Sequence, residues 1–129
     1  MIKVIKNGLV ITMDEKRKEK IEKMDVVITD DTITSLEENY TGKYDILINA
    51  ENKIVMPGLV NCHTHLGMSI FRCTNDNLTL QDWLTKKIWP IEDRMTHKEI
   101  YYTTLLSLIE SIKSGTTTSA DHYFGSLES

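Results

Sequence analysis

The hydrophobic rhythm of the chain changes near residue 56. Before that point apolar residues come in short β-branched runs alternating with polar ones: "IKVIKNGLVITM" from Ile2, "DVVITD" from Asp25, "TITSL" from Thr32 and "DILIN" from Asp45. A period of two is what a strand shows when one of its faces is buried. Asn7-Gly8 and Asp30-Asp31 are residues that tolerate the backbone of tight turns. Residues 1–56 are therefore expected to form a small antiparallel β unit.

After Pro57 the period lengthens. Thr96-His97-Lys98-Glu99 has the form of a capping box, and behind it Leu105, Leu108, Ile109 and Ile112 recur at helical spacing until Gly115 offers a stop. This predicts a helix over 97–113. The β-branched run Thr116 to Ala120 reads as the strand after it, and Leu59 to His65 as the strand before it. Strand, helix, strand is the βαβ unit of a parallel sheet. A shorter helix over Leu80 to Ile88, with Thr79 as its cap and Asp82 three residues on, occupies the connection. Repeats and low-complexity segments are absent.

Composition adds exclusions rather than chemistry. With 129 residues, 40% hydrophobic and 26% charged, the chain has ordinary globular composition. A formal net charge of -4 gives a nucleic-acid backbone or an anionic membrane nothing to bind. The charge-dense stretch Asp14 to Lys23 mixes both signs and reads as a solvated loop or hairpin tip. No apolar run approaches the ~20 residues of a membrane span, and the first residues lack the apolar core of a signal peptide, so a cytoplasmic setting is expected. Cys62 and Cys73 match no metal or disulfide spacing and are expected to be reduced packing residues.

The chemistry concentrates in "PGLVNCHTH", residues 57–65, which uses two of the four histidines. Residues two apart on a strand share a face, so His63 and His65 project together near the strand's C-terminal end. Two adjacent imidazoles can chelate one borderline-soft divalent ion such as zinc. Cys62 and Thr64 face the other way. An isolated pair of this kind also fits two polar residues leaving a strand with no chemical task.

The run "IVMPGLVNCHTH", with β structure before it and a βαβ pattern after it, resembles the signature of the amidohydrolase superfamily. The stretches "NLTLQDWLTKKIWPIEDRMT" and "SIKSGTTTSADHYF" are similar to those of 5-methylthioadenosine/S-adenosylhomocysteine deaminases and the related triazine-type chlorohydrolases. The resemblance covers nearly the whole chain and is loosest in the first 50 residues. It implies an α/β fold: the N-terminal part of a small β-sandwich over 1–56, then over 57–129 the first βα units of a TIM-type (β/α)8 barrel.

It also implies a metal, zinc or another transition metal such as iron, held by His63 and His65. The substrate class it implies is a small nucleoside whose ribose hydroxyls are bound by the glutamate of "PIEDR", here Glu92. A carboxylate can accept from two neighbouring hydroxyls. Trp83 matches an aromatic beside that pocket, and either a substrate contact or a core anchor for the short helix suits it. Arg72-Cys73 stand where the family commonly has Arg-Gly, which puts the course of that loop in question. Asp121 and His122 fall at the end of the second strand, the active-site end in a barrel. The family often has another residue at His122, which is not assigned as a ligand, and His97 is expected to face solvent.

A complete barrel takes about 250 residues, and the residues after Met56 suffice for roughly two of eight βα units. No proton-shuttling catalytic residue can be placed on this chain. The expectation is the N-terminal portion of a zinc-dependent aminohydrolase acting on S-adenosylhomocysteine or 5-methylthioadenosine. By itself the portion should be inactive, with uncovered apolar helix residues that favour self-association. The alternatives are another amidohydrolase, such as a guanine deaminase or chlorohydrolase, and a non-catalytic metal-binding or interaction module.

Overall fold

The computed structural model describes residues 1–74 and 77–123, and the chain divides into two units, Met1–Pro57 and Gly58–Ser129. The first unit is one five-stranded sheet. β1 (Ile2–Ile11), β2 (Ile21–Thr29) and β3 (Thr32–Glu37) form an antiparallel meander. β4 (Ile46–Asn49) and β5 (Ile54–Val55) then join the free side of β1 in parallel. The sheet is thus mixed, not antiparallel throughout. Its parallel half is fastened by Asp45, whose carboxylate accepts from the Ile2 N–H at 2.6 Å while its own N–H donates to the Ile2 carbonyl at 2.8 Å. Val10, Met24 and Val26 make the core of this unit, with Ile5, Ile28, Leu36 and Val55 packed around them.

Asp30-Asp31 does turn the chain, with Asp30 at φ 57° between β2 and β3. Asn7-Gly8 does not. Asn7 takes φ 63° inside β1, at a bulge that shifts the register between Ile5 and Gly8. The bulge persists because the Asn7 N–H is received by Asp25 Oδ1 at 2.9 Å, and Tyr40 N–H donates to the other oxygen of the same carboxylate at 2.9 Å. Asp25 is 2% exposed, and Lys6 Nζ stands 3.5 Å from it. The mixed-charge stretch is only partly a loop: Ile21 to Lys23 already belong to β2.

In the second unit β6 (Leu59–Thr64) pairs in parallel with β7 (Thr116–Asp121). Between them run a 3-10 turn (Leu66–Phe71), a helical stretch and α3 (His97–Lys113). The helical stretch is longer than the sequence pattern suggests. It begins as α1 (Leu80–Trp83), capped by Thr79 Oγ1 accepting from the Asp82 N–H at 3.3 Å, widens into a π turn (Leu84–Ile88) and continues as α2 (Trp89–Glu92). Pro90, in the first turn of α2, has no N–H to donate back into the preceding π turn.

The limits of α3 agree with the sequence pattern. Thr96 and Glu99 complete the capping box, with Thr96 N–H donating to the Glu99 carboxylate at 2.7 Å, and Gly115 leaves the helix at φ 90°. Its apolar stripe is not buried: Leu105, Leu108, Ile109 and Ile112 are all exposed. Cys62 and Cys73 are exposed free thiols, not packing residues. Cys62 points off an open strand face, and Cys73 lies in a turn beyond the 3-10 segment.

Candidate active site

The end of β6 is set by contacts from both sides of its chain. Leu59 N–H reaches the Gly115 carbonyl at 2.9 Å, and at the other end His122 N–H donates to the Thr64 carbonyl at 3.0 Å. Asp121 Oδ1 accepts the Leu66 N–H at 2.9 Å, so the last residue of β7 ties down the first residue after the histidine pair. α3 holds the same turn through Ser107 Oγ to the Leu66 carbonyl (2.7 Å) and, in the other direction, Ser69 Oγ to the Thr103 carbonyl (2.8 Å). Arg72 and Glu110 form a two-pronged ion pair at its far end, with Nη1 to Oε1 at 2.8 Å. These contacts fix the backbone that follows the histidine pair, while His63 and His65 themselves are exposed.

The two rings lie edge to face. Their centroids are 5.0 Å apart and their planes nearly perpendicular, at 85°. With zinc–nitrogen bonds of about 2.0–2.1 Å, two imidazoles held at a tetrahedral angle have centroids roughly 5 Å apart. Two imidazoles at this spacing are a donor type suited to a borderline-soft divalent ion such as zinc. His122 stacks on His63 at 5.0 Å and 21°, and lies 6.4 Å from His65. Among the described residues no group of three or more His, Cys, Asp or Glu side chains is arranged to hold a metal.

Glu92 closes α2 and is half-buried; Trp83 closes α1 and is also half-buried. The loop residue in question, Cys73, sits at φ 60°, a left-handed backbone that suits glycine. His97 opens α3 and is exposed.

One residue with a part in this region was not among the sequence candidates. Tyr123, two residues past the end of β7, is buried. Burial, the Glu92 charge, the hydrogen bond to Glu92 and then Asp121 push its phenol up to about 12. The signal for it was positional: a tyrosine just beyond the C-terminal end of a parallel strand, beside two residues already marked.

Residues 54–128 match the Amidohydrolase family, and the chain belongs to that family. It is 46% identical over 122 residues to a 5-methylthioadenosine/S-adenosylhomocysteine deaminase of Caldanaerobacter subterraneus subsp. tengcongensis, a match that covers 94% of this chain and 28% of the relative. It is likewise 46% identical over 121 residues to a 5'-deoxyadenosine deaminase of Methanosarcina mazei, with the same coverage. Among solved structures it superposes on an adenosine deaminase from Xanthomonas campestris with bound zinc (TM-score 0.84, 26% identity, 95% of this chain and 29% of that one). It also superposes on the triazine hydrolase from Arthobacter aurescens (TM-score 0.80, 26% identity, 93% and 28%). The chain thus spans under a third of the length of these relatives. The family read from "IVMPGLVNCHTH" and its surroundings is confirmed, and the mixed sheets with few helices are consistent with a partial amidohydrolase fold.

Proposed function

We propose that this chain is the amino-terminal part of a metal-dependent aminohydrolase that deaminates the adenine ring of 5'-modified adenosines, S-adenosylhomocysteine and 5-methylthioadenosine first among them. Its first unit would be part of the small β-sandwich, and its second the opening βα units of the barrel. The observation that carries the reading is the perpendicular His63–His65 pair, 5.0 Å apart at the C-terminal end of a parallel strand, in the same unit as the Glu92 carboxylate. The names of the relatives, deaminases of methylthioadenosine, S-adenosylhomocysteine and 5'-deoxyadenosine, support the substrate class.

His63 and His65 would contribute two nitrogens to the ion. A divalent metal in such a site supplies Lewis acidity and a bound water acidified toward neutral pH. This chain's own tasks are to fix the two rings and to bind the sugar. Glu92 suits the second task because an ionised carboxylate only accepts, and two adjacent ribose hydroxyls only need acceptors for their protons. That requirement separates nucleosides from free bases and triazines, which have no ribose.

Zinc is the ion we propose, consistent with imidazole ligands and with the zinc in the Xanthomonas campestris structure. The test is to express the complete reading frame with zinc and to assay 5-methylthioadenosine, S-adenosylhomocysteine, 5'-deoxyadenosine, guanine and a chlorotriazine. Turnover of the three nucleosides is expected. Turnover confined to guanine or the triazine would overturn the reading.

A further inference from the structure

His63 and His65 are exposed, so burial does not orient their rings. A histidine turns about two side-chain bonds, the outer one broad and roughly two-fold, so an exposed ring sweeps a wide arc. The residue placed to narrow that arc is His122, the first after β7. Its N–H donates to the Thr64 carbonyl at 3.0 Å, and the carboxylate of the residue before it, Asp121, accepts the Leu66 N–H at 2.9 Å. Those two bonds straddle His65, and they fix the backbone of His122 against that of the histidine pair. From there its ring lies against the His63 ring, with centroids 5.0 Å apart and planes 21° from parallel. The His65 ring is further off, at 6.4 Å and 65°.

We infer that His122 is a positioning residue for metal binding: its ring, stacked on one face of His63, holds that imidazole edge to face with His65. The inference rests on the reading of His63 and His65 as metal ligands. Offset stacking of two π rings at this separation is favourable beyond the area it buries, and a flat neighbour resists turning of the ring it covers. A side chain already ordered in this way loses less rotamer freedom on taking up a ligand, so affinity rises. Metal-bound histidines are commonly oriented by a hydrogen bond at the nitrogen that does not bind, and here a ring face performs part of that task. The stack needs a planar ring at position 122 but not its nitrogens. Positioning and ligation are thereby separable, since a ligand must offer a nitrogen and a stacking partner need only be flat.

The full-length protein would be prepared as wild type, His122→Phe, His122→Ala and His63→Ala, and its zinc affinity read by competition with a chromophoric chelator. His122→Ala should weaken zinc binding about two- to tenfold, the range that one ring–ring contact supplies. His122→Phe keeps a flat ring and has no nitrogen, so it should stay within about twofold of wild type. Unchanged affinity in His122→Ala would overturn the inference. Equal weakening in both His122 variants would overturn it too, because the residue would then act through a nitrogen. His63→Ala is the control: if it retains zinc, the metal reading falls, and if it loses zinc while His122→Ala does not, only the positioning role falls.

A second measurement separates positioning from a general loss of structure. Cobalt in place of zinc gives visible bands that report the arrangement of the ligands, and these should change in His122→Ala and be kept in His122→Phe; bands unchanged in His122→Ala refute the positioning role. His122 is exposed, so the metal-free variants should melt with the metal-free wild type. A fall in the melting temperature of metal-free His122→Ala that accompanies its loss of zinc affinity would also overturn the inference, since the residue would then support the fold and not the ligand.

Discussion

Asp25→Asn offers the sharpest test of how the first unit is held together. The carboxylate is buried and takes Asn7 N–H on one oxygen and Tyr40 N–H on the other, both at 2.9 Å, with Lys6 Nζ at 3.5 Å. An asparagine amide keeps the shape but has one acceptor oxygen, so one of the two N–H groups would face an NH2 donor. A stranded buried N–H costs about 1–3 kcal/mol. The surviving bond loses its charge assistance. Lys6 is not stranded, because it also reaches the Tyr40 carbonyl at 2.9 Å and is partly exposed, so the ion pair itself adds little.

The expected total is about 3 kcal/mol, and Asp25→Ala, which leaves both N–H groups without a partner, should cost about 4–5 kcal/mol. Urea unfolding with amide exchange at Asn7 and Tyr40 measures it. Those two amides should lose protection first. A cost under about 1 kcal/mol, with both amides still protected, would refute the account.

The same carboxylate predicts a pH dependence. Burial acts to raise its pKa, but the two backbone N–H donors and Lys6 outweigh burial and hold it below the usual range. A depressed folded value means the contribution is fully present above the unfolded pKa of about 4 and is lost as pH falls through the lower folded one. Asp25→Asn should therefore flatten the acid limb of the stability curve.

In the full-length protein His63→Ala and His65→Ala should each abolish metal retention, read by metal analysis after dialysis, while Glu92→Ala should keep metal and raise nucleoside KM. Metal loss from Glu92→Ala with KM unchanged would reverse those roles. Cys73→Gly should raise stability by about 0.5 kcal/mol, since relief of the left-handed strain at φ 60° slightly exceeds glycine's extra unfolded entropy; a loss above about 1 kcal/mol in thermal unfolding would contradict it. Gly67→Ala should cost about 1–3 kcal/mol and displace the Tyr123 ring, visible as an altered tyrosine spectrum in the near-ultraviolet.

Features governed by near neighbours were legible in the sequence. α3 could be bounded from Thr96, Glu99 and Gly115 because each acts on backbone within a turn of itself. The facing of His63 and His65 came from strand geometry alone. At Asn7 the sequence signalled a positive φ, but whether it served a hairpin or a bulge depended on Asp25, a partner on the next strand. The parallel pairing of β4 and β5 was hidden for the same reason, since alternation reports a buried face and not which strand lies alongside. Tyr123 escaped notice because the residue its ring packs on, Gly67, is far away in sequence.

β1 sits in the middle of its sheet, yet its two sides are filled at different times during synthesis. The β1–β2–β3 meander can close once Glu37 has left the ribosome, since its connections are short. The other side of β1, from Lys3 to Val10, stays unpaired until the segment from Ile46 to Val55 emerges. During that interval a nascent chain displays a strand edge that another nascent chain can pair with. Lys3 and Lys6 lie on that edge, and their charge discourages such pairing. Any delay between the emergence of Glu37 and that of Val55 lengthens the exposure, so the pace of elongation over that interval bears on how much of the protein is recovered folded.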